Sequence, residues 1–375
     1  MPPSRLLDSH IHLWPSTAIT SKDHGWMTDP SHFLAKRQGI SDYKSVTASS
    51  PAGSALAGFI YVETDRYLPS KTPGIGPDAS KEEVKGKLRD WAKAPLQELE
   101  FLRRIVEESP QEGDGFEKGE GGRMKGAVVW APFNVSVAAF NAYMEIAEEV
   151  AGPKLWEKIV GFRYLLQGKE RGEVKNLVSN DDWIENIVSL GKGRSGKGWA
   201  FDVGVDIHRD GTDPLGAVGE MILKVREREA QNGNEGQPVR FVLNHLCKHA
   251  FTTDSPIEPT REWLDAISKL GPDQNVFMKL SGAFNEFDNA TPSSISDIVK
   301  SLSSITSKVF DAFGDRVMFG SDWPVCNVGG PAGEKGNWDL WVKSVELLLE
   351  ETNVAEGRRE QIWWKAGSQA YAVQL

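Results

Sequence analysis

Leu6-Leu7-Asp8-Ser9-His10-Ile11-His12-Leu13-Trp14 is the first complete apolar stretch of the chain. Its period of 2 is the signature of a strand. That period puts Asp8, His10 and His12 on one face and Ser9, Ile11 and Leu13 on the other. Two imidazoles that point the same way from a rigid strand can chelate a divalent cation, or jointly hold a water or a carboxylate. A His-x-His pair also arises by chance or as a surface feature, so the remaining chain has to supply further ligands.

Seven more short apolar runs follow, at 58–63, 126–132, 159–166, 199–205, 239–245, 276–282 and 317–324, each bounded by turn residues. Helical spacing fills most of the gaps, over 81–108, 136–150, 183–190, 214–230, 260–270, 294–313 and from 338 onward. Strands buried on both faces and alternating with helices define a parallel sheet. Eight such strands predict an α/β fold, a single distorted (β/α)₈ TIM-type barrel spanning 1–375, rather than an open doubly wound sheet. No glycine-rich fingerprint follows the first strand, which disfavours a nucleotide-binding fold. Residues 15–51 read as a long loop, 68–80 as irregular and 109–123 as a mobile surface excursion. Taken together, 68–125 reads as an irregular insertion after strand 2 that can serve as a lid.

With 375 residues, 39% hydrophobic and 26% charged, the chain has ample core material. A formal charge of −10 argues against nucleic acid or an anionic membrane as partner and mainly means solubility. Cys247 and Cys326 lie in apolar surroundings with no metal-type spacing, so both are expected as buried free thiols. Residues 1–8 lack the apolar core of a signal peptide and no run is long enough to span a membrane. The expectation is a cytoplasmic protein.

In a barrel of this kind the site lies at the C-terminal ends of the strands. Those ends carry His10 and His12, Glu63, Arg163 and Tyr164, Asp202, Asp206 and His208, His245, Lys279 and Ser281, and Asp322. Four of the seven histidines are in this set, which favours metal or acid–base chemistry over chance. Asp322, where an apolar strand stops at Trp323-Pro324, can ligate a metal and take a proton from an attacking water; the bland reading is a turn aspartate. His245 follows a fully apolar run, against the alternative of a structural histidine bonded to a carbonyl. His208 lies beyond its run, on sequence that reads as loop. Arg163 suits an anionic or polyhydroxylated substrate, or an ion pair with a carboxylate such as Asp202.

Asp8-Ser9-His10-Ile11-His12-Leu13-Trp14, Gly161-Phe162-Arg163, Asn244-His245, Lys279-Leu280-Ser281-Gly282 and Gly320-Ser321-Asp322-Trp323-Pro324 together resemble the amidohydrolase superfamily. They are most similar to its branch of sugar-acid lactonases, such as L-rhamnono-γ-lactonase and L-fuconolactonase. The resemblance implies a barrel whose mouth binds a divalent metal, commonly zinc, through His10, His12 and Asp322, with a strand-five histidine completing the set. His208 is the candidate for that place. No lysine ends strand four, so one metal is implied rather than two, and the branch includes metal-free members. The activity implied is hydrolysis of a small aldonolactone. Asp322, His245 and Arg163 would be catalytic, and Trp26, Glu63, Arg163, Tyr164, His208 and Trp323 would contact substrate. The alternatives are a metal-dependent decarboxylase of an unsaturated or aromatic acid, and a non-catalytic binding barrel.

Overall fold

Eight strands pair in parallel and in sequence order: β1 Leu6–Ile11, β2 Leu56–Val62, β3 Met124–Trp130, β4 Ile159–Arg163, β5 Ala200–Val203, β6 Arg240–Leu243, β7 Val276–Leu280 and β8 Val317–Phe319. The computed structural model describes residues 3–76, 78–233, 235–253 and 258–375. Met1 and Pro2, part of the stretch inspected for a signal peptide, lie outside them. Among the described residues no helix is long and apolar enough to cross a membrane.

The sheet curls into a nearly closed (β/α)₈ barrel. Closure between β8 and β1 comes from a few separate contacts rather than a ladder. Asp322 N donates to His10 O (2.9 Å), and His12 N donates to Trp323 O (2.7 Å). Lower down, the Ser9 hydroxyl donates to Phe319 O (2.5 Å), where the two strands diverge. A register shift between Asp8 and Ile11 breaks the strict alternation of β1. Asp8 therefore does not share a face with His10 and His12. It reaches Tyr43 and Trp338 on the helices Ile40–Thr47 and Gly333–Glu351 (2.7 and 3.1 Å), and its Oδ1 accepts from Ser321 N (2.8 Å).

Side chains from alternate positions fill the barrel interior: Leu7, Ile60, Val62, Val128, Val160, Ala200, Val242, Phe277 and Met318. The floor is plugged by the last helix, Ala366–Tyr371, whose Ala366, Ala370 and Tyr371 join this cluster. Each fully buried aliphatic side chain here stabilises by about 1.5–3 kcal/mol relative to exposure. The larger second cluster lies between the outer faces of the strands and the helices.

Three sequence expectations change. The supposed loop 15–51 contains the helix Ile40–Thr47, whose buried Ile40, Tyr43, Val46 and Thr47 follow helical spacing. The single helix over 81–108 is two, Lys81–Trp91 and Lys93–Glu107, interrupted at Ala92 (φ −94°, ψ 25°). Ser80 and Glu83 form a reciprocal capping box at the start of the first. Residues 109–123 are tied down rather than a free excursion: Asp114 is buried and takes two bonds of 2.7 Å from Arg104, and Phe116 and Glu120 are also buried. Both cysteines are buried free thiols.

Candidate active site

At the C-terminal mouth of the barrel lies a cavity of about 330 Å³. One wall is His12, Trp14, Trp26, His32 and Leu34. The others are Thr64 and Asp65; Arg163, Leu165 and Gln167; His245 and Lys248; and Asn285, Asp322, Val325 and Val328. No residue of 68–125 is among them, so the segment read as a lid instead contributes outer helices. The wall that overhangs the site is the β1 connection. Trp26 is anchored there by its indole N–H donating to Thr64 O (2.9 Å) and by an edge contact with Trp14.

Asp322 is the hub. Its Oδ1 lies 3.5 Å from His10 Nε2, 3.4 Å from His12 Nε2 and 3.7 Å from His245 Nε2. His10 Nε2 and His12 Nε2 are 3.1 Å apart. Burial drives the His10 imidazole well below its ordinary range, and the Lys279 and His245 fields add to this. Burial likewise brings His245 down to about 3. Both rings are therefore neutral near pH 7. Burial alone would raise the Asp322 carboxyl, but His245, His12 and Lys248 more than offset it, and the group is held below the usual carboxylate range. The centre is thus one carboxylate among imidazoles.

The backbone holds these groups in sparsely populated conformations. Asp65 (φ 52°), the run His245-Leu246-Cys247-Lys248 (φ 53–59°) and Asp322 (φ 61°) are all left-handed. Four consecutive non-glycine residues in that region cost about 1–2 kcal/mol each. Such strain persists only where surrounding packing over-determines it, and it clusters at functional sites. Here it turns His245 and Lys248 into the cavity from the end of β6.

Several other expected positions move. His208 does not join the cluster: on the short helix Ile207–Asp210, its Nδ1 meets Glu286 (3.0 Å) and its Nε2 meets Asp288 (2.9 Å). Both ring nitrogens are occupied by carboxylates, so it has none left for a metal, and His245 takes the third imidazole place beside Asp322. Glu63 is fully buried and serves Arg163, which donates to its carboxylate and, through Nη2, to its backbone O (2.7 Å). Arg163 reaches the cavity already paired with Glu63, not with Asp202. Tyr164 packs edge-on against Trp183 (5.3 Å) and lies outside the cavity lining. Trp323 is buried against Tyr43 (5.2 Å) and offers no stacking surface. Sequence reasoning missed Asp65, Gln167, Lys248 and Asn285 as cavity residues. For Asp65 the signal was present, in the charged run directly after β2.

The spacing of these groups also suits a divalent cation. His10, His245 and Asp322 each offer a ligand atom, all within 4.8 Å of one another. Tetrahedral zinc, with bonds of about 2.0–2.2 Å, sets its ligand atoms roughly 3.3–3.5 Å apart. His12 is oriented for this role, because its Nδ1 donates to Val62 O (2.8 Å) and leaves Nε2 with a lone pair. The donor set fits.

Comparison with known proteins agrees with this geometry. The family model described as amidohydrolase matches residues 236–361. An L-fucono-1,5-lactonase of Burkholderia multivorans is 30% identical over 237 residues, covering 60% of this chain and 70% of that protein. One of Burkholderia ambifaria is 35% identical over 104 residues, 28% of this chain and about a third (32%) of that protein. A crystal structure of a Burkholderia multivorans amidohydrolase with bound HEPES superposes with TM-score 0.64 at 21% identity, over 99% of this chain and 100% of that one. A second crystal form of that amidohydrolase, with bound zinc, gives 0.62 at 20% identity over the same shares. At these identities the superpositions establish the fold. The chain belongs to the amidohydrolase superfamily, in the branch that holds the L-fucono-1,5-lactonases.

Proposed function

We propose that the protein hydrolyses a small, neutral sugar-acid lactone to the open-chain acid. The observation that carries this is the Asp322 carboxyl within 3.7 Å of three imidazoles on the floor of a cavity whose cations already have carboxylate partners. Arg163 is paired with Glu63, and Lys248 lies 3.8 Å from Asp206 and 3.7 Å from Glu286. A pocket neutralised in this way suits a polyhydroxylated, uncharged ring. It suits a decarboxylase less, because that reaction needs a cation free to hold the substrate carboxylate. The similarity to L-fucono-1,5-lactonase points to the same class.

Asp322 takes a proton from water as the water oxygen bonds to the lactone carbonyl carbon. The negative charge that develops on the carbonyl oxygen is met by the His245 imidazole N–H and by Arg163. As the ring C–O bond breaks, protonated Asp322 returns its proton to the leaving alkoxide, which completes the hydrolysis. A divalent cation, when bound, would be held by His245 and Asp322 with His10 or His12 of the strand-one pair, and would supply Lewis acidity and a lowered water pKa. Trp26 offers the ring face of the sugar an apolar surface, while Asp65, Gln167 and Asn285 bind its hydroxyls.

A proton-release assay over a panel of aldonolactones tests the proposal. Turnover of one or more is expected; turnover of none, with or without added zinc, overturns it. The same assay gives a pH profile. Burial and then the Glu63 charge push Asp65 up to about 6, although part of its surface stays exposed where it lines the cavity. As pH falls through that value Asp65 gains a proton and loses the charge that makes it a strong acceptor for a substrate hydroxyl. An acid limb near that pH is therefore expected in kcat/KM, and Asp65→Asn should remove it. A limb that persists in the variant would assign it elsewhere.

A further inference from the structure

Beneath the catalytic floor runs a line of fully buried polar groups that the proposed chemistry does not use. Tyr371, on the helix that plugs the barrel, donates its hydroxyl to Asp202 (2.8 Å to Oδ1, 2.9 Å to Oδ2). Lys279 Nζ lies 2.7 Å from Asp202 Oδ2 and 3.0 Å from His10 Nδ1. All four side chains have no solvent exposure.

The direction of each hydrogen bond follows from chemistry. A tyrosine hydroxyl has one proton, and an ionised carboxylate only accepts. The Lys279 ammonium, paired with Asp202, has three donors and no acceptor, so it donates to His10 Nδ1. A neutral imidazole whose Nδ1 accepts carries its proton on Nε2. That Nε2–H faces His12 Nε2 at 3.1 Å. His12 has the opposite tautomer, because Val62 O accepts from its Nδ1 and leaves Nε2 as the acceptor. Every bond from Tyr371 to Val62 is consistent with this one assignment.

We infer that Lys279 is a positioning residue that fixes His10 as its Nε2–H tautomer, so that His10 faces the reaction centre as a hydrogen-bond donor, with Asp202 and Tyr371 holding Lys279 in place. His12 and His10, adjacent on one strand, then have different work. His12 offers a lone pair to the centre, and His10 steadies that ring and Asp322 Oδ1 through its single N–H. The kinetic consequence rests on the proposed lactone hydrolysis; the tautomer does not.

The test is long-range ¹H–¹⁵N correlation spectroscopy on the full chain, histidine-labelled and treated with chelator, with the His10 signals assigned by their loss in His10→Asn. Wild type should show a protonated Nε2 and an unprotonated Nδ1 at His10, and the reverse at His12. A His10 carrying its proton on Nδ1 overturns the inference, whatever the lactone panel gives. Removing the Lys279 charge alone leaves Asp202 buried and unpaired, so the neutral pair Lys279→Met with Asp202→Asn is the variant to make. Folded, it should lose the fixed His10 tautomer and lower kcat about 10- to 100-fold with KM little changed. An unaltered His10 spectrum in the folded double variant would also overturn the inference. Tyr371→Phe, which keeps the ion pair, should retain the tautomer; its loss there would mean that Lys279 is not what fixes it.

Discussion

Asp322→Asn is expected to lower kcat for lactone hydrolysis by about 10³-fold or more, the upper part of the range for general-base catalysis, with little change in KM. The substitution isolates the proton-accepting function well. Asparagine is among the residues that tolerate the left-handed backbone that position 322 adopts (φ 61°), so the fold has no reason to change there. Its amide keeps one carbonyl acceptor for the surrounding imidazoles but cannot take a proton from water. Neither does the neutral His245 supply a substitute carboxylate. Because the native Asp322 carboxyl lies below the usual range, the base stays ionised through mildly acidic pH, and raising the pH should not rescue the variant. Steady-state kinetics on the lactone that wild type turns over fastest, with a thermal melt to confirm folding, make the measurement. Activity within tenfold of wild type would remove Asp322 from the base role.

The barrel was readable because parallel strands buried on both faces leave uninterrupted apolar runs, and all eight runs overlap an observed strand, although β2 and β3 begin two residues before theirs. Their ends were read too long, since the apolar character continues past the last paired residue: the run at 317–324 holds a three-residue strand, Val317–Phe319. The site was readable where polarity interrupts such a run, as at His10, His12, His245 and Asp322. It was not readable where geometry departs from the ideal period. The register shift in β1 turns Asp8 outward, and nothing in Asp8-Ser9-His10 marks a bulge. The left-handed turn at His245–Lys248 contains no glycine, the usual sign of positive φ. Pairings were equally hidden. Arg163 and Glu63 are 100 residues apart, and Lys279 and Asp202 are 77 apart, so which carboxylate neutralises which cation depends on the closed barrel. His208 misled for the same reason: only the fold reveals Glu286 and Asp288 on either side of its ring.

Those hidden pairings decide the chemistry as much as the visible residues do. An arginine and a lysine at a barrel mouth would ordinarily favour an anionic substrate. With Glu63, Asp206 and Glu286 beside them, the cavity presents cations whose charge is largely balanced, and its remaining carboxylates, Asp65 and Asp322, favour hydroxyl-rich neutral ligands.

The largest stability effect is expected at Asp8. The barrel is sewn shut between β8 and β1 by isolated bonds, and Asp8 supplies the acceptor for three close buried donors, Ser321 N, Tyr43 OH and Trp338 Nε1, and at 3.4 Å for His10 N. Asp8→Ala leaves all three unmet. Each buried unsatisfied donor costs about 1–3 kcal/mol, so a loss of roughly 3–9 kcal/mol is expected, a large part of the about 5–15 kcal/mol that holds a typical domain folded. Asp8→Asn retains an acceptor and should lose much less. The position also bears on function. Ser321 precedes Asp322, whose own N–H donates to His10 O, so the seam that Asp8 clamps sets the distance between the base and the first histidine. Asp8→Ala should therefore also reduce kcat at temperatures where it remains folded, whereas a core truncation of equal thermodynamic cost elsewhere should not. Urea unfolding of both Asp8 variants, with kinetics below the transition, separates the outcomes. An Asp8→Ala midpoint close to that of wild type would show that the seam is held by other contacts.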